Sequence, residues 1–149
     1  MRFLAVLLCL TLLTGCSFVE NFVILNHSEE DISIHFSYSN SSTGFNIFDS
    51  SPDVYSLQDE VLNWSDRKEV DVKKDSSSYQ LFLPANCGMV IGRLNNEHFE
   101  SVNQEFINGR KFNFEQLDLT IKNKTTTIYK STFSDYFVRK NGYIQFSVH

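Results

Sequence analysis

The chain has 149 residues, with 13 Lys and Arg against 18 Asp and Glu, for a formal net charge of −5. That balance argues against a nucleic-acid partner and against a charge-driven grip on anionic lipid head groups, since both favour clustered cations. The length suits one compact domain that buries roughly two thirds of its unfolded surface.

Residues Met1 to Cys16 read MRFLAVLLCLTLLTGC: a basic residue at Arg2, an uncharged apolar run from Phe3 to Leu13, then small residues at Thr14 and Gly15. As a helix this run rises only about 16 Å, well short of a bilayer's hydrocarbon core, so it reads as an export signal. Leu13-Thr14-Gly15-Cys16 resembles the lipobox of bacterial lipoproteins. The resemblance covers the signal and its cut site only. It implies cleavage before Cys16, acyl chains on that cysteine, and attachment to a membrane of the bacterial cell envelope. Ser17 stands where an aspartate marks inner-membrane retention in the enteric members of that class, which points to an outer membrane facing the periplasm. The expected organisation is a removed signal peptide at 1–15, a lipidated N-terminus and short tether at 16–20, and a folded domain at 21–149. Cys9 leaves with the signal and Cys16 takes the lipid, so Cys87 stands without an intramolecular disulfide partner. Its plain reading is a small, semi-buried residue beside a turn.

Within the domain, Asn21 to Asn26 (NFVILN) is a dense apolar run, and Asp31 to Tyr38 (DISIHFSY) alternates with Ile32, Ile34, Phe36 and Tyr38 on one face. Period two means a half-buried strand. The short polar link His27 to Glu30 makes the two runs an expected antiparallel hairpin with an acidic tip at Glu29, Glu30 and Asp31. Phe45 to Phe48 reads as a short returning strand. From Asp49 to Ser78 the pattern weakens, and a structureless stretch of that length predicts at least one short strand inside it. Tyr79 to Leu83 and Met89 to Leu94 read as strands paired across the turn Pro84 to Gly88.

Phe99, Val102 and Phe106 recur at spacings of three and four, which predicts a short helix over Glu97 to Phe106 with Asn96 as its cap. Phe112 to Lys122 alternates with a one-residue shift between Phe114 and Leu117, the mark of a bulge or of a break between two strands. Thr126 to Lys130 is β-branched and pairs with it as a hairpin. Thr132 to Lys140 fits a helix, with Phe133, Tyr136 and Phe137 on one face and Thr132 with Asp135 as a capping box. It also fits a strand turning at Asn141-Gly142. The aromatic spacing favours the helix. Tyr143 to Val148 is a closing strand.

Together these make an all-β fold, a single antiparallel β-sandwich of seven to nine strands with one or two short helices and with Phe and Tyr filling the space between the sheets. Motifs for chemistry are absent: no Gly-rich phosphate loop, no His-x-x-x-His or Cys-x-x-Cys pair, no Gly-x-Ser-x-Gly elbow. His27, His35, His98 and His149 are dispersed along the chain. Asp49 to Glu60 places Asp49, Ser51, Asp53, Tyr55 and Glu60 at calcium-loop positions, but Val54 replaces the required glycine, so a plain acidic loop is the better reading. No catalytic residue, metal ligand or cofactor is therefore expected, and Cys16 is the one functional residue assigned. Three function classes follow in order: a membrane-tethered, non-enzymatic binding or assembly module with a protein partner near the membrane surface; a small envelope inhibitor or immunity-type protein; and a hydrolase assembled from distant loops.

Overall fold

The computed structural model describes residues 17–40 and 45–149. The signal and Cys16 lie outside the described residues. Eleven strands are present among those described: β1 (Val19–Asn26), β2 (Ile32–Tyr38), β3 (Phe48–Gln58), β4 (Val61–Lys68), β5 (Lys73–Lys74), β6 (Ser78–Leu83), β7 (Cys87–Asn95), β8 (Phe114–Ile121), β9 (Lys124–Tyr129), β10 (Val138–Lys140) and β11 (Tyr143–Val148). They form a six-stranded sheet in the order β10-β11-β1-β7-β3-β4 and a five-stranded sheet in the order β5-β6-β2-β8-β9. The expected sandwich is thus the observed one. Every ladder is antiparallel except β1 with β11, which run parallel from Asn21↔Tyr143 to Asn26↔Val148.

The core between the sheets is aromatic. Among the described residues nine of the thirteen phenylalanines are buried, and many meet in tilted or edge-on geometry, such as Phe22 tilted on Phe48 at 5.0 Å and Phe48 edge-on to Phe112 at 5.1 Å. Ring quadrupoles favour such arrangements over face-to-face sandwiches. The shift read between Phe114 and Leu117 is a bulge: Tyr38 pairs with Phe114 while Ser37 pairs with Gln116, so both halves of β8 turn apolar residues inward.

Two expected hairpins are instead crossovers between sheets. β1 lies in the six-stranded sheet and β2 in the other, and the same holds for β7 and β6. Phe22, Val23, Ile24 and Leu25 are all fully buried, so β1 is covered on both faces and needs neighbours on both edges, which β7 and β11 supply. Sheets stack about 10 Å apart, twice the spacing of paired strands, and the connection from His27 to Asp31 bridges that gap. The acidic residues therefore sit on a crossover turn, not on a hairpin tip.

The Asp49 to Ser78 region, where the weakened pattern predicts at least one short strand, holds β3, β4 and β5. Asp59 and Glu60 both take positive φ, the conformation of the two-residue turn that joins twisted strands, and Lys122 with Asn123 does the same between β8 and β9. The acidic-loop reading of Asp49 to Glu60 is corrected to a strand and its turn. The expected helix over Glu97 to Phe106 is absent. Side chains there occupy the backbone groups that a helix would use: Gln104 Oε1 accepts from the N–H groups of Glu100 and Ser101, and Glu97 accepts from Ile107 N–H. Phe99 and Phe106 reach the core from this irregular segment, and Asn96 adopts a positive φ instead of capping anything. In Thr132 to Lys140 each reading holds for half the stretch. One helical turn, α1 (Phe133–Tyr136), is followed by β10 and the Asn141-Gly142 turn into β11. Thr132 makes no capping bond to α1; its hydroxyl accepts from Tyr129 N–H instead.

The β3–β4 hairpin curls over the outer face of its own sheet. In a flat sheet β4 and β11 would stand about 19 Å apart, yet Trp64 and Tyr143 have ring centroids 6.3 Å apart. Leu62 packs with Val23, Leu25 and Val90 in a second apolar cluster on that face. Gly88 makes the approach possible, because a Cβ there would stand 2.3 Å from Leu62 Cδ2 and 2.8 Å from Leu25 Cδ2.

Candidate functional site

The one functional residue expected from sequence, Cys16, precedes β1, so the candidate site is the N-terminal end of the sandwich. Register places a defined set of segments there. Val19 opposes Asn95 at the end of β7, Tyr38 opposes Phe114 at the start of β8, and Lys140 opposes Tyr143 at the Asn141-Gly142 turn. The tether expected through Glu20 is shorter than that, for Val19 and Glu20 already belong to β1. Phe18 is held too: its N–H donates to Asn96 Oδ1 at 3.1 Å, its carbonyl accepts from Asn96 N–H at 2.9 Å, and its ring stacks on His98 at 4.5 Å.

Glu20 is the main surprise. In phase with Phe22 and Ile24 it points inward, and it is 4% exposed. Its carboxylate accepts from Phe99 N–H at 2.6 Å and pairs with the Arg139 guanidinium, which also donates to the Phe99 carbonyl at 2.7 Å. A buried carboxylate is tolerated when charge and hydrogen bonds compensate it. The cluster ties the first strand, the 97–100 segment and β10 into one block. His98 Nδ1 lies 3.5 Å from the same carboxylate, at the exposed rim.

Two buried asparagines stitch the sheets, one at each end. Near the N-terminal end, Asn113 Oδ1 accepts from the N–H groups of Ile47 and Phe48 while its Nδ2 donates to the carbonyls of Ser39 and Phe48. At the far end, Asn26 Nδ2 faces the carbonyls of Glu30, Leu83 and Pro84, and its Oδ1 accepts from Ser28. These roles were missed in the sequence. A usable signal existed for Glu20 and Asn26, since the inward alternation Glu20, Phe22, Ile24, Asn26 places a polar residue at each end of a core-facing row.

A cleft of about 670 Å³ opens beside Asn113, lined by Gln104, Phe106, Arg110, Lys111, Phe112 and Lys130. Its polar groups are largely engaged by backbone: Lys130 Nζ donates to the Phe112 carbonyl at 2.9 Å, and Gln104 Nε2 to that of His98. Among the described residues no nucleophile with an adjacent base lines it.

The dispersed histidines come together only in part. His27 stacks on His149 at 4.9 Å, and burial, with the neighbouring imidazole, lowers the His27 pKa. His35 Nδ1 sits 3.5 Å from Asp118. Cys87 opens β7 and is buried, and that burial raises its thiol pKa, which disfavours the reactive thiolate. Asp53 of the partial calcium pattern pairs with Arg67 and Arg93, so cations already hold its carboxylate. Among the described residues no three His, Cys, Asp or Glu side chains gather as a metal site. No family model, curated protein or solved structure matches the chain.

Proposed function

We propose that this protein is a lipid-anchored bacterial envelope protein, attached through acyl chains on Cys16, that serves as a non-enzymatic binding or assembly module for a protein partner near the membrane surface. The outer membrane, facing the periplasm, is the favoured location. The observation that supports the reading most is the fixed start of the domain. Phe18 and Glu20 are locked to Asn96, Phe99 and Arg139, so a lipid on Cys16 lies within about 8 Å of an ordered residue, two Cα–Cα steps away. Such a link holds the sandwich against the bilayer and confines any partner to that layer. One acyl chain alone binds reversibly, and stable attachment needs several.

The test is intact mass and membrane fractionation of natively expressed protein beside Cys16→Ser. The expected outcome is a mature chain that begins at acylated Cys16 and sediments with membranes, with the variant released. Two soluble forms with a different first residue would overturn the anchor.

A second reading, a small inhibitor or immunity-type protein, draws on one observation: the end opposite the anchor carries Glu29, Glu30, Asp31, Asp59 and Glu60 on its turns, a surface fitted to a basic enzyme. Unchanged sensitivity to lysozyme, proteases and neighbouring toxins after gene deletion would remove it.

A further inference from the structure

Nine large apolar side chains are exposed among the described residues, and four of them, Phe18, Val19, Phe45 and Ile107, gather at the N-terminal end. Set on the fold, they ring that end, with polar residues such as Asn95, Asn96 and Asn108 between them. Val19 opposes Asn95, and Asn95 lines a shallow cleft with Phe45, Asn108 and Arg110. Ile107 adjoins Asn108 and is bonded through its N–H to Glu97, one residue beyond the Asn96 that holds Phe18. Phe45 is 71% exposed, the most of any large apolar side chain here. Single exposed apolar residues need no explanation, whereas a cluster at one end marks an interaction surface.

What covers that rim follows from where it lies. Ser17, the residue after Cys16, emerges within it. We propose that the domain docks end-on against a phospholipid bilayer, with Phe18, Val19, Phe45 and Ile107 entering the boundary between head groups and acyl chains and the two sheets standing up from the membrane. This rests on the lipid-anchor reading. Charge at this end is mixed, with Arg110, Lys111 and Lys140 beside Glu97, Glu100 and Glu105, so apolar contact drives the docking and salt has little effect on it. A side chain at such a boundary sits about 5–10 Å deep. A lipid on Cys16 adds effective concentration, since the second contact becomes intramolecular once the first is made.

Two full-length variants test this in vesicles of phosphatidylethanolamine and phosphatidylglycerol carrying brominated acyl chains. Both have Trp64→Phe to remove the native tryptophan. One adds Phe45→Trp, the other Phe82→Trp, an exposed position on the five-stranded sheet well away from the rim. The expected result is about a twofold loss of emission at position 45, as for a ring at the acyl boundary, and an unchanged signal at position 82. If the protein floats with the vesicles and position 45 stays unquenched, the anchor reading stands and the docking fails. If the protein proves not to be acylated, the anchor reading fails, and excess vesicles added to the same chain decide the docking separately: quenching at position 45 upholds it, and no quenching overturns it.

Discussion

The two ends of the sandwich use the same structural device and carry different chemistry. Each is closed by a fully bonded buried asparagine that links one sheet to the other, Asn113 at the N-terminal end and Asn26 at the far end. Around Asn113 the surface is apolar and mixed in charge, with Phe18, Val19, Phe45 and Ile107 exposed. Around Asn26 it is acidic, and its ion pair, Lys122 with Glu30 at 2.8 Å, is exposed on both sides. The difference shows that a sandwich separates its stitching from its surface. Interior asparagines hold the sheets together, and the turns outside them are free to carry opposite properties.

That comparison yields graded expectations. The largest concerns the asparagines themselves. Asn113→Ala removes a partner from the N–H groups of Ile47 and Phe48 and from two carbonyls; Ile47 N–H keeps the Lys111 carbonyl at 3.3 Å, so at about 1 kcal/mol or more for each of the others chemical denaturation should show a loss of about 3–4 kcal/mol. Asn26→Ala should lose less, about 2–3 kcal/mol, because water reaches the Glu30 and Pro84 carbonyls once the amide is gone. Equal losses would contradict the difference in burial between the ends.

Glu20→Gln comes next. It keeps the shape but removes the charge facing Arg139, which is itself half-exposed, and should cost about 2 kcal/mol. Hydrogen exchange should quicken at Phe99 while amides of the far end stay protected, and faster exchange at both ends would mean that the cluster does not act locally.

The smallest effect is pH-dependent and belongs to the far end. The folded pKa of His27 lies below the ordinary value near 6.5, so between the two values the unfolded chain binds more protons. The His27 contribution is present above pH 6.5 and is lost as pH falls through that value toward the folded pKa. Thermal melts from about pH 7.5 to 5.5 should show a slightly smaller fall in Tm for His27→Gln than for the parent. A larger fall in the variant would reverse the assigned sign.

Much of the fold was legible along the chain, because period-two alternation records which side chains face a core regardless of which strand lies alongside. The strands at Ile32 to Tyr38, Tyr79 to Leu83 and Tyr143 to Val148 were readable in this way, as was the bulge between Phe114 and Leu117. Pairing was not. A short polar link such as His27 to Glu30 is compatible with a hairpin or with a step between sheets, and only the double-sided burial of β1 selects the step. The segment from Glu97 to Phe106 misled because its three-and-four spacing is met equally by separate residues dropping into the core from a loop held by Glu97 and Gln104.

The all-β class, the aromatic filling of the core and the expectation of an anchor at Cys16 are all readable from the order of residues. The tertiary structure alone decided which strands share a sheet, how the β3–β4 hairpin curls over Gly88, and the burial of Glu20 against Arg139, 119 positions away in the chain. The physical reason is range. Alternation and turn chemistry act between near neighbours, while the choice of partner strand and the compensation of a buried charge depend on residues that only the folded chain brings together.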